Sequence, residues 1–131
     1  MRFTKLGSTG LDVSVICLGC MSPLARGRLT RLWDEETVRT ETDQFGKCLY
    51  REEDRQIGDQ VGEVADQLGT SRAQVALAWL LRKPPVTAPI VGATKPEHLA
   101  DAIAAVDLEL DDVSVEALKG FDVPHAIAGH D

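Results

Sequence analysis

The sequence has few aromatic residues, few cysteines and no long apolar run. Aromatic residues make up 5% of its 131 residues, and Tyr50 is the single tyrosine. No stretch approaches the roughly 20 apolar residues that a membrane span needs, and no cleavage pattern follows the short apolar run near the N-terminus. We therefore expect a cytoplasmic protein of one domain, because this length supports one hydrophobic core but not two.

Positive charge is also scarce. The chain has 21 acidic and 14 basic residues, which gives a net charge of −7. This balance argues against nucleic acid or an anionic membrane as the main partner, although it permits a local basic site for an anion.

The three cysteines, an odd number, favour a reducing compartment over a disulfide framework. Cys17 and Cys20 form a C-x-x-C pair, but a redox pair usually lies at a helix N-terminus, and this pair lies in or just after a predicted strand. A zinc site would need two further ligands, for which only Cys48 and three distant histidines remain. We expect small buried cysteines rather than a redox or metal site.

Local patterns predict a short β start. Residues 3–6 and 11–18 flank a Gly-Ser-Thr-Gly connection, which predicts a β-hairpin. The second arm is expected to continue as one buried strand over residues 13–18. Residues 28–50 have no clean period and predict a loop with a short helix.

Two helices are predicted to follow. The spacing of apolar residues predicts an amphipathic helix over residues 52–68, which Gly69 ends. Ser71, with Gln74 three residues later, has the pattern of a capping box and opens a second helix, which Pro84 ends. That second helix contains AQVALAWLL, which is apolar nearly all round, so it must be buried on most sides.

The next stretch, VTAPIVGATKPEHLADAI, predicts a strand, a glycine turn and a helix. Residues 86–91 are rich in β-branched side chains, and Thr94 with Glu97 has the pattern of a second capping box. A helix N-terminus after a glycine turn favours an anion, and Lys95 and His98 stand where they would add charge or hydrogen bonds. A plain strand-to-helix connection explains the same residues, since no G-x-G-x-x-G or Walker pattern is present.

A second turn of this kind, SPLARG at residues 22–27, follows the first apolar strand. In a TIM barrel the phosphate site uses the loops after the seventh and eighth strands, and the two turns occur in that order here. Their residues resemble the aldo-keto reductase family. KLGSTGLDVSVICLGCMS is similar to its opening hairpin and first strand, SPLARGRLTR to the loop after its seventh strand, and SRAQVALAWLL, PIVGATKPEHLADA and VPHAIAGH to the rest of its C-terminal third.

The resemblance implies an α/β fold, an incomplete (β/α)8 TIM barrel of aldo-keto reductase type with an N-terminal β-hairpin, two parallel strands and C-terminal helices. Residues 1–131 would form a single partial domain, with the hairpin and first strand in residues 1–21 and the cofactor-binding part in residues 22–131. The middle of the barrel, which usually takes about 250 residues, would be deleted. The first strand would then replace the seventh and pair in parallel with residues 86–91 through a right-handed crossover.

The resemblance also implies NADP(H) as the cofactor. One group of residues would wrap the pyrophosphate, mainly through backbone N–H groups, and a second would surround the adenosine 2′-phosphate and adenine. The first group is Ser22, Pro23, Leu24, Ala25, Arg26 and Gly27, and the second is Gly92, Thr94, Lys95, His98 and Asp101. Ala102 stands where the family often has an asparagine that contacts adenine, and His98 replaces a more usual glutamine or arginine.

The catalytic aspartate, tyrosine, lysine and histidine of that family have no counterpart in this sequence. Tyr50 lacks the D-x-A-x-x-Y context and is interpreted as a packing residue, and His98, His125 and His130 belong to C-terminal segments. We therefore assign no catalytic residue and no metal ligand.

Three hypotheses remain open for the function: a nucleotide-binding module, a decayed remnant with no specific ligand, and an enzyme completed by another chain. We expect weak NADP(H) binding without carbonyl reduction. We also expect self-association, because strand edges and the apolar surface of AQVALAWLL would lack their barrel neighbours.

Overall fold

Two small sheets and a body of helices make up the fold. The computed structural model describes residues 2–18, 23–84 and 86–121. The strands are β1 (Phe3–Lys5), β2 (Asp12–Ser14), β3 (Cys17–Leu18) and β4 (Ile90–Val91). The helices are α1 (Val38–Thr42), α2 (Gln44–Leu49), α3 (Arg55–Leu68), α4 (Arg72–Leu81), α5 (Pro96–Ala104) and α6 (Asp112–Lys119), with 3-10 turns at Ala25–Gly27 and Glu52–Asp54. None of the helices in these ranges is long and apolar enough to cross a membrane.

The predicted hairpin is confirmed. β1 and β2 pair antiparallel, with Thr4 opposite Val13. The connection between them places Gly7 at φ 55° and Gly10 at φ 77°. Glycine adopts these left-handed conformations without the steric cost that a Cβ brings.

The predicted continuous strand over residues 13–18 is wrong. β2 ends at Ser14, and β3 begins at Cys17 in a different sheet. Between them, Val15 and Ile16 are buried in the core, and the Ser14 hydroxyl donates a 2.6 Å hydrogen bond to the Ile16 carbonyl. The chain changes sheets here because both apolar side chains enter the core instead of alternating across one sheet.

β3 and β4 pair in parallel, which confirms the predicted pairing of the two strands. Cys17 lies opposite Ile90 and Leu18 opposite Val91. The second strand is shorter than the predicted residues 86–91, because Pro89 has no N–H group to donate to a ladder. The right-handed crossover stays a prediction.

The caps of α3 and α4 follow their sequence signals in part. Gly69 ends α3 with φ 63°, as predicted. α3 begins at Arg55 because the acidic residues before it form the 3-10 turn Glu52–Asp54. Ser71 accepts a 3.2 Å hydrogen bond from the Gln74 backbone N–H, which is one half of the predicted capping box.

The side chain of Gln74 does not complete that box. Its Nε2 donates a 2.7 Å hydrogen bond to Asp101, and its Oε1 accepts one from Thr70.

α4 then ends at Leu81 instead of running to Pro84. The residue before a proline is disfavoured in the α conformation, so the helix stops before it.

The capping box predicted for α5 is wrong. The N-cap is Lys95, with no side-chain hydrogen bond to the helix, and Pro96 takes the first helical position. Thr94 precedes the cap, and its Oγ1 lies 3.4 Å from His98 Nδ1. Proline at this position has the φ of a helix and no N–H to satisfy, so the helix begins one residue later than the Thr94 pattern suggests.

α4 lies between two hydrophobic clusters. Its Leu77 belongs to a cluster with Val15, Ile16, Val91, Ala102, Ala105 and Val106. Its Val75 and Ala78 belong to a second cluster with Val61, Val64, Ala65, Leu110 and Leu118. Residues 75–78 are all buried, which confirms that the helix is covered on most sides and shows that the expected exposed apolar surface on it is wrong.

The side chain of Arg72 connects three segments at the start of α4. Its Nη1 donates hydrogen bonds to the carbonyl oxygens of Arg31, at 3.1 Å, and Gly58, at 3.0 Å. The guanidinium lies so close to Gly62 that a Cβ at that position would overlap it. Arg72 therefore ties the loop before α1 to α3, and α3 needs glycine at position 62 to admit it.

Substituting Arg72→Ala is expected to lower the free energy of unfolding by about 2 kcal/mol, because two partly buried hydrogen bonds from a charged donor are lost. Urea unfolding measures the change. Arg2→Ala is the matched control, since Arg2 is exposed.

A double-mutant cycle tests the overlap at Gly62. With Arg72 present, Gly62→Ala should give no gain in stability; in the Arg72→Ala background it should stabilise by about 1 kcal/mol, the helix-propensity difference. An equal gain in both backgrounds would contradict the close approach of the guanidinium.

Candidate functional site

The carboxyl ends of the parallel strands β3 and β4 lie at one edge of the small sheet, and each strand is followed in the sequence by a candidate turn. The chain leaves β3 toward the SPLARG turn and leaves β4 toward Gly92 and Lys95. Because the strands are parallel, their carboxyl ends share an edge, which is where open α/β sheets bind ligands. Ser22, the first residue of the SPLARG turn, lies outside the described residues.

The SPLARG turn has an unusual backbone. Ala25, Arg26 and Gly27 follow each other with φ of 48°, 54° and 97°. The Gly27 N–H donates to the Leu24 carbonyl at 2.9 Å, and the Arg28 N–H donates to the Ala25 carbonyl at 3.0 Å. Two non-glycine residues in the left-handed region cost conformational energy, and strain of this kind is found at ligand-binding turns.

The absence of a side chain on Gly27 lets the guanidinium of Arg31 approach the turn closely. A Cβ on Gly27 would lie 2.6 Å from Nη1 of Arg31, so no other residue fits here with the guanidinium in place. Pro23 and Leu24 are partly buried, and Leu24 packs against the first hydrophobic cluster. The turn is therefore anchored to the core on one side and to Arg31 on the other.

The side chain of Arg26 is directed to α2 rather than to the shared edge. Its Nε forms an ion pair with Asp43, and its guanidinium lies 5.9 Å from the ring centre of Phe45. The hydrogen bond from Arg26 to Asp43 raises the pKa of that guanidinium further above its usual range. Asp43 in turn accepts a 2.9 Å hydrogen bond from the Gly46 N–H and caps α2.

The turn after β4 is open to solvent. Gly92, Thr94, Lys95 and His98 are all exposed. In the described part of the chain Lys95 has no ion pair, so its ammonium is available to an anion at the start of α5.

Asp101 and Ala102, on α5, are less exposed than the other candidate residues after β4. Asp101 is partly buried and accepts the 2.7 Å hydrogen bond from Gln74, which links α5 to α4. Ala102 is 2% exposed and belongs to the first hydrophobic cluster. Position 102 therefore packs in the core, where a longer polar side chain would not fit without a partner.

A polar pocket beside the SPLARG turn was missed at the level of sequence. Its wall combines residues of the turn, the two short helices and the single tyrosine. It is lined by Arg26, Arg28, Thr40, Asp43, Gly46, Lys47 and Tyr50. The only related signal in the sequence is the high charge of residues 28–50. This segment has no helical or strand periodicity, so the sequence does not indicate which of its side chains lie close together.

Tyr50 is half-buried in this pocket. Burial raises the pKa of its phenol, while Arg26 and, more weakly, Arg28 lower it and Asp43 raises it. The net pKa is raised, so the phenol stays protonated at neutral pH and is a hydrogen-bond donor. A reductase tyrosine that gives up its proton to a carbonyl oxygen needs its pKa moved in the other direction.

An apolar cleft of about 120 Å³ lies on the other side of the turn, between α3, α4 and α6. Pro23, Leu29, Ile57 and Trp79 line part of it. The Nε1 of Trp79 is buried without a hydrogen-bond partner among the described residues. A wall of this composition suits an apolar group and offers nothing to a phosphate.

The described residues contain no group of three His, Cys, Asp or Glu side chains that would hold a metal ion. Cys48 is exposed and free. Cys20, His125 and His130 lie outside the described residues.

Comparison with protein families decides the assignment. Residues 8–123 match the model of the aldo/keto reductase family. The chain belongs to the aldo-keto reductase family. The resemblance seen in the sequence is thereby confirmed at the level of the family.

Individual relatives support the same assignment. This aldo-keto reductase chain is 40% identical over 111 residues, 81% of its length, to versiconal hemiacetal acetate reductase of Aspergillus parasiticus. It is 41% identical over 82% of its length to a putative aryl-alcohol dehydrogenase of Schizosaccharomyces pombe, and 35% identical over 82% to an aldo-keto reductase of Metarhizium robertsii. These matches cover 32%, 31% and 30% of the relatives, so the chain spans about a third of their length.

The raised pKa of Tyr50 is directly measurable, since the chain has one tyrosine. In an alkaline titration, the near-ultraviolet phenolate absorbance should appear at higher pH in the folded protein than in urea. Stability from this group is complete below the unfolded pKa of about 10 and is lost as pH rises through the higher folded pKa. Arg26→Met should raise the folded pKa further, since Arg26 lowers it, and Arg2→Met should not. Coincident folded and unfolded titrations would contradict the burial of the phenol.

Proposed function

We propose that this aldo-keto reductase chain is a nucleotide-binding module that holds NADP(H) at the shared edge of β3 and β4 and does not reduce carbonyl compounds on its own. The observation that carries the proposal is the parallel register of Cys17 with Ile90 and Leu18 with Val91. This register puts the carboxyl ends of both strands on the same side, which supports one site for the pyrophosphate and the 2′-phosphate of a single dinucleotide.

The pyrophosphate is assigned to the SPLARG turn. Three successive left-handed residues, Ala25, Arg26 and Gly27, form the turn. The Gly27 and Arg28 N–H groups donate inside it, so we assign the N–H groups of Leu24, Ala25 and Arg26 to the ligand. Backbone N–H groups in such turns bind anions without a charged side chain. Since Arg26 is paired with Asp43, its contribution to the cofactor is the backbone and not the guanidinium.

The 2′-phosphate is assigned to the turn after β4. Lys95 is the exposed N-cap of α5, and His98 lies one turn into the helix. The partial positive charge of the helix N-terminus adds to that of Lys95. Gly92 and Thr94 complete this half, while Asp101 supports it from beneath through its hydrogen bond to α4.

Catalysis is not part of the proposal because the tetrad motifs of the family are absent from the sequence. Tyr50 stands with Asp43 and Lys47 in one pocket, but its pKa is raised by burial. We infer a partial barrel in which the first strand runs into the loop that normally follows the seventh. The matched residues span 32% of the first relative, so most of that relative's length has no counterpart in this sequence.

NADPH binding is expected to be weak and to depend on Lys95. Titration of NADPH fluorescence should show Lys95→Ala weakening binding about tenfold, the effect of losing one charge-assisted contact of about 1.4 kcal/mol. Rising salt should weaken binding further because the contact is exposed. Lys119→Ala is the charge-matched control, since Lys119 pairs with Glu116 on α6.

The same preparation tests the absence of turnover. Incubation of NADPH with a panel of aldehydes should give no oxidation above a buffer control. Steady oxidation by protein free of other reductases would contradict the module and favour an enzyme. The absence of any NADPH binding to the wild type would favour a remnant without a specific ligand. Turnover that appears only when another chain is added would favour complementation.

A cytoplasmic location stays a prediction.

We also propose that the chain associates with itself through α5 and the open edge of its second sheet. Leu99 and Ile103 lie four residues apart on α5 and are 38% and 42% exposed, and Ile90 in β4 is 39% exposed. In the described chain the sheet has two strands, so its edges offer unpaired backbone groups to a second copy.

Sedimentation velocity should show dimers or larger species of the wild type at micromolar concentration. Ile103→Lys should shift the distribution toward monomer, because a charge in an apolar contact is costly. Leu68→Lys, at a position 40% exposed on α3, should leave the distribution unchanged. A compact wild-type monomer, or an equal effect of both variants, would contradict the assignment of the interface to α5.

A further inference from the structure

The polar pocket lined by Arg26, Arg28, Lys47 and Tyr50 borders the SPLARG turn, and apart from Arg26 its lining residues are not assigned to the cofactor. It lies where the SPLARG turn meets α1 and α2, and Asp43 forms part of its wall. Its space is about 20 Å³, enough for one water-sized group.

The charge balance of the pocket is positive. Three cationic residues and one carboxylate line the pocket, and that carboxylate is already paired with Arg26. Its other oxygen accepts the Gly46 N–H at 2.9 Å. Outside the lining, the charge of Asp54 also acts on Tyr50, more weakly than that of Asp43. Among the described residues neither Arg28 nor Lys47 forms an ion pair, in a chain whose net charge is −7.

Arg28 is held in position by the residues around it. Its Nη1 donates a 2.7 Å hydrogen bond to the Trp33 carbonyl, and its guanidinium lies 4.7 Å from the centre of the Trp33 ring. No other hydrogen bond of the described residues uses its remaining N–H groups. A guanidinium fixed in this way loses little conformational freedom when it binds an anion.

Lys47 and Tyr50 supply donors of two other kinds. The Lys47 ammonium donates one hydrogen bond, to the Glu41 carbonyl at 3.0 Å, and retains two N–H groups. The half-buried phenol of Tyr50 keeps its proton and donates an O–H. A guanidinium, an ammonium and a phenol around one small space are the donor set that recognises an oxyanion.

We propose that this pocket is a second anion site, which binds a phosphoryl group through Arg28, Lys47 and Tyr50, with the Arg26–Asp43 pair as its fixed wall. One phosphoryl oxygen enters the pocket, and the others stay at its mouth beside the ammonium. A phosphoryl dianion matches the cations Arg28 and Lys47, whereas a carboxylate matches one of them. The partial burial of the pocket limits screening by salt.

The test uses inorganic phosphate as the probe. Calorimetric titration of the wild type, against chloride at equal ionic strength, should show phosphate binding with a Kd on the order of 1 mM. Lys47→Met should weaken binding at least about tenfold, and its exposed position on α2 leaves the core untouched. Lys5→Met is the charge-matched control, because Lys5 pairs with Asp12 in the hairpin. Arg28→Met is the second variant, with circular dichroism as its check of folding.

Phosphate binding that is absent from the wild type, or equal in wild type and Lys47→Met, would overturn the proposal. Lys95→Ala, which removes the charge assigned to the 2′-phosphate, should keep the part of phosphate binding that depends on Lys47, so a failure of NADPH binding would leave the phosphate result standing. Competition with NADPH separates two sources of the phosphoryl group. Displacement of phosphate supports a phosphate of the cofactor in this pocket, and simultaneous binding supports a separate phosphorylated ligand.

Discussion

The proposed cofactor site depends on the two-residue parallel ladder between β3 and β4. It consists of Cys17 opposite Ile90 and Leu18 opposite Val91, and Val91 shares a hydrophobic cluster with Val15 and Ile16, the two residues before β3. Parallel pairing is less stable per residue than antiparallel pairing and needs cover on both faces. Here α4 supplies part of that cover through Leu77, so the proposed site at this edge depends on a helix distant in the chain.

Local signals in the sequence predicted the parts of the fold that depend on neighbouring residues. The hairpin follows from its two glycines, the end of α3 from Gly69, and the start of α4 from Ser71, because each needs only a backbone conformation or one short hydrogen bond. The cap of α5 was misjudged because Thr94 and Pro96 compete for the same helix start. The strand over residues 13–18 was misjudged because burial in a shared core interrupts an apolar run without any change in its composition.

Tertiary contacts account for what the sequence could not predict of the site. The turn was located, but nothing in SPLARG shows that Arg26 pairs with a residue 17 positions away. The close approach of Arg72 to Gly62 is also a tertiary contact. From the sequence alone, a glycine inside a helix predicts only a less stable helix. The polar pocket combines residues of three segments without a shared period, so only the folded chain brings Lys47 and Tyr50 to Arg28.

α4 gives its opposite faces to different hydrophobic clusters, with Leu77 on one side and Val75 and Ala78 on the other. If either cluster lost its packing, a face of this helix would be exposed. We therefore expect that neither cluster can unfold while the other stays folded. Native-state hydrogen exchange in α4 would then report the global unfolding equilibrium, and residues of both clusters would exchange together with it. A chain with so short a sheet thus behaves as one cooperative unit through a ten-residue helix.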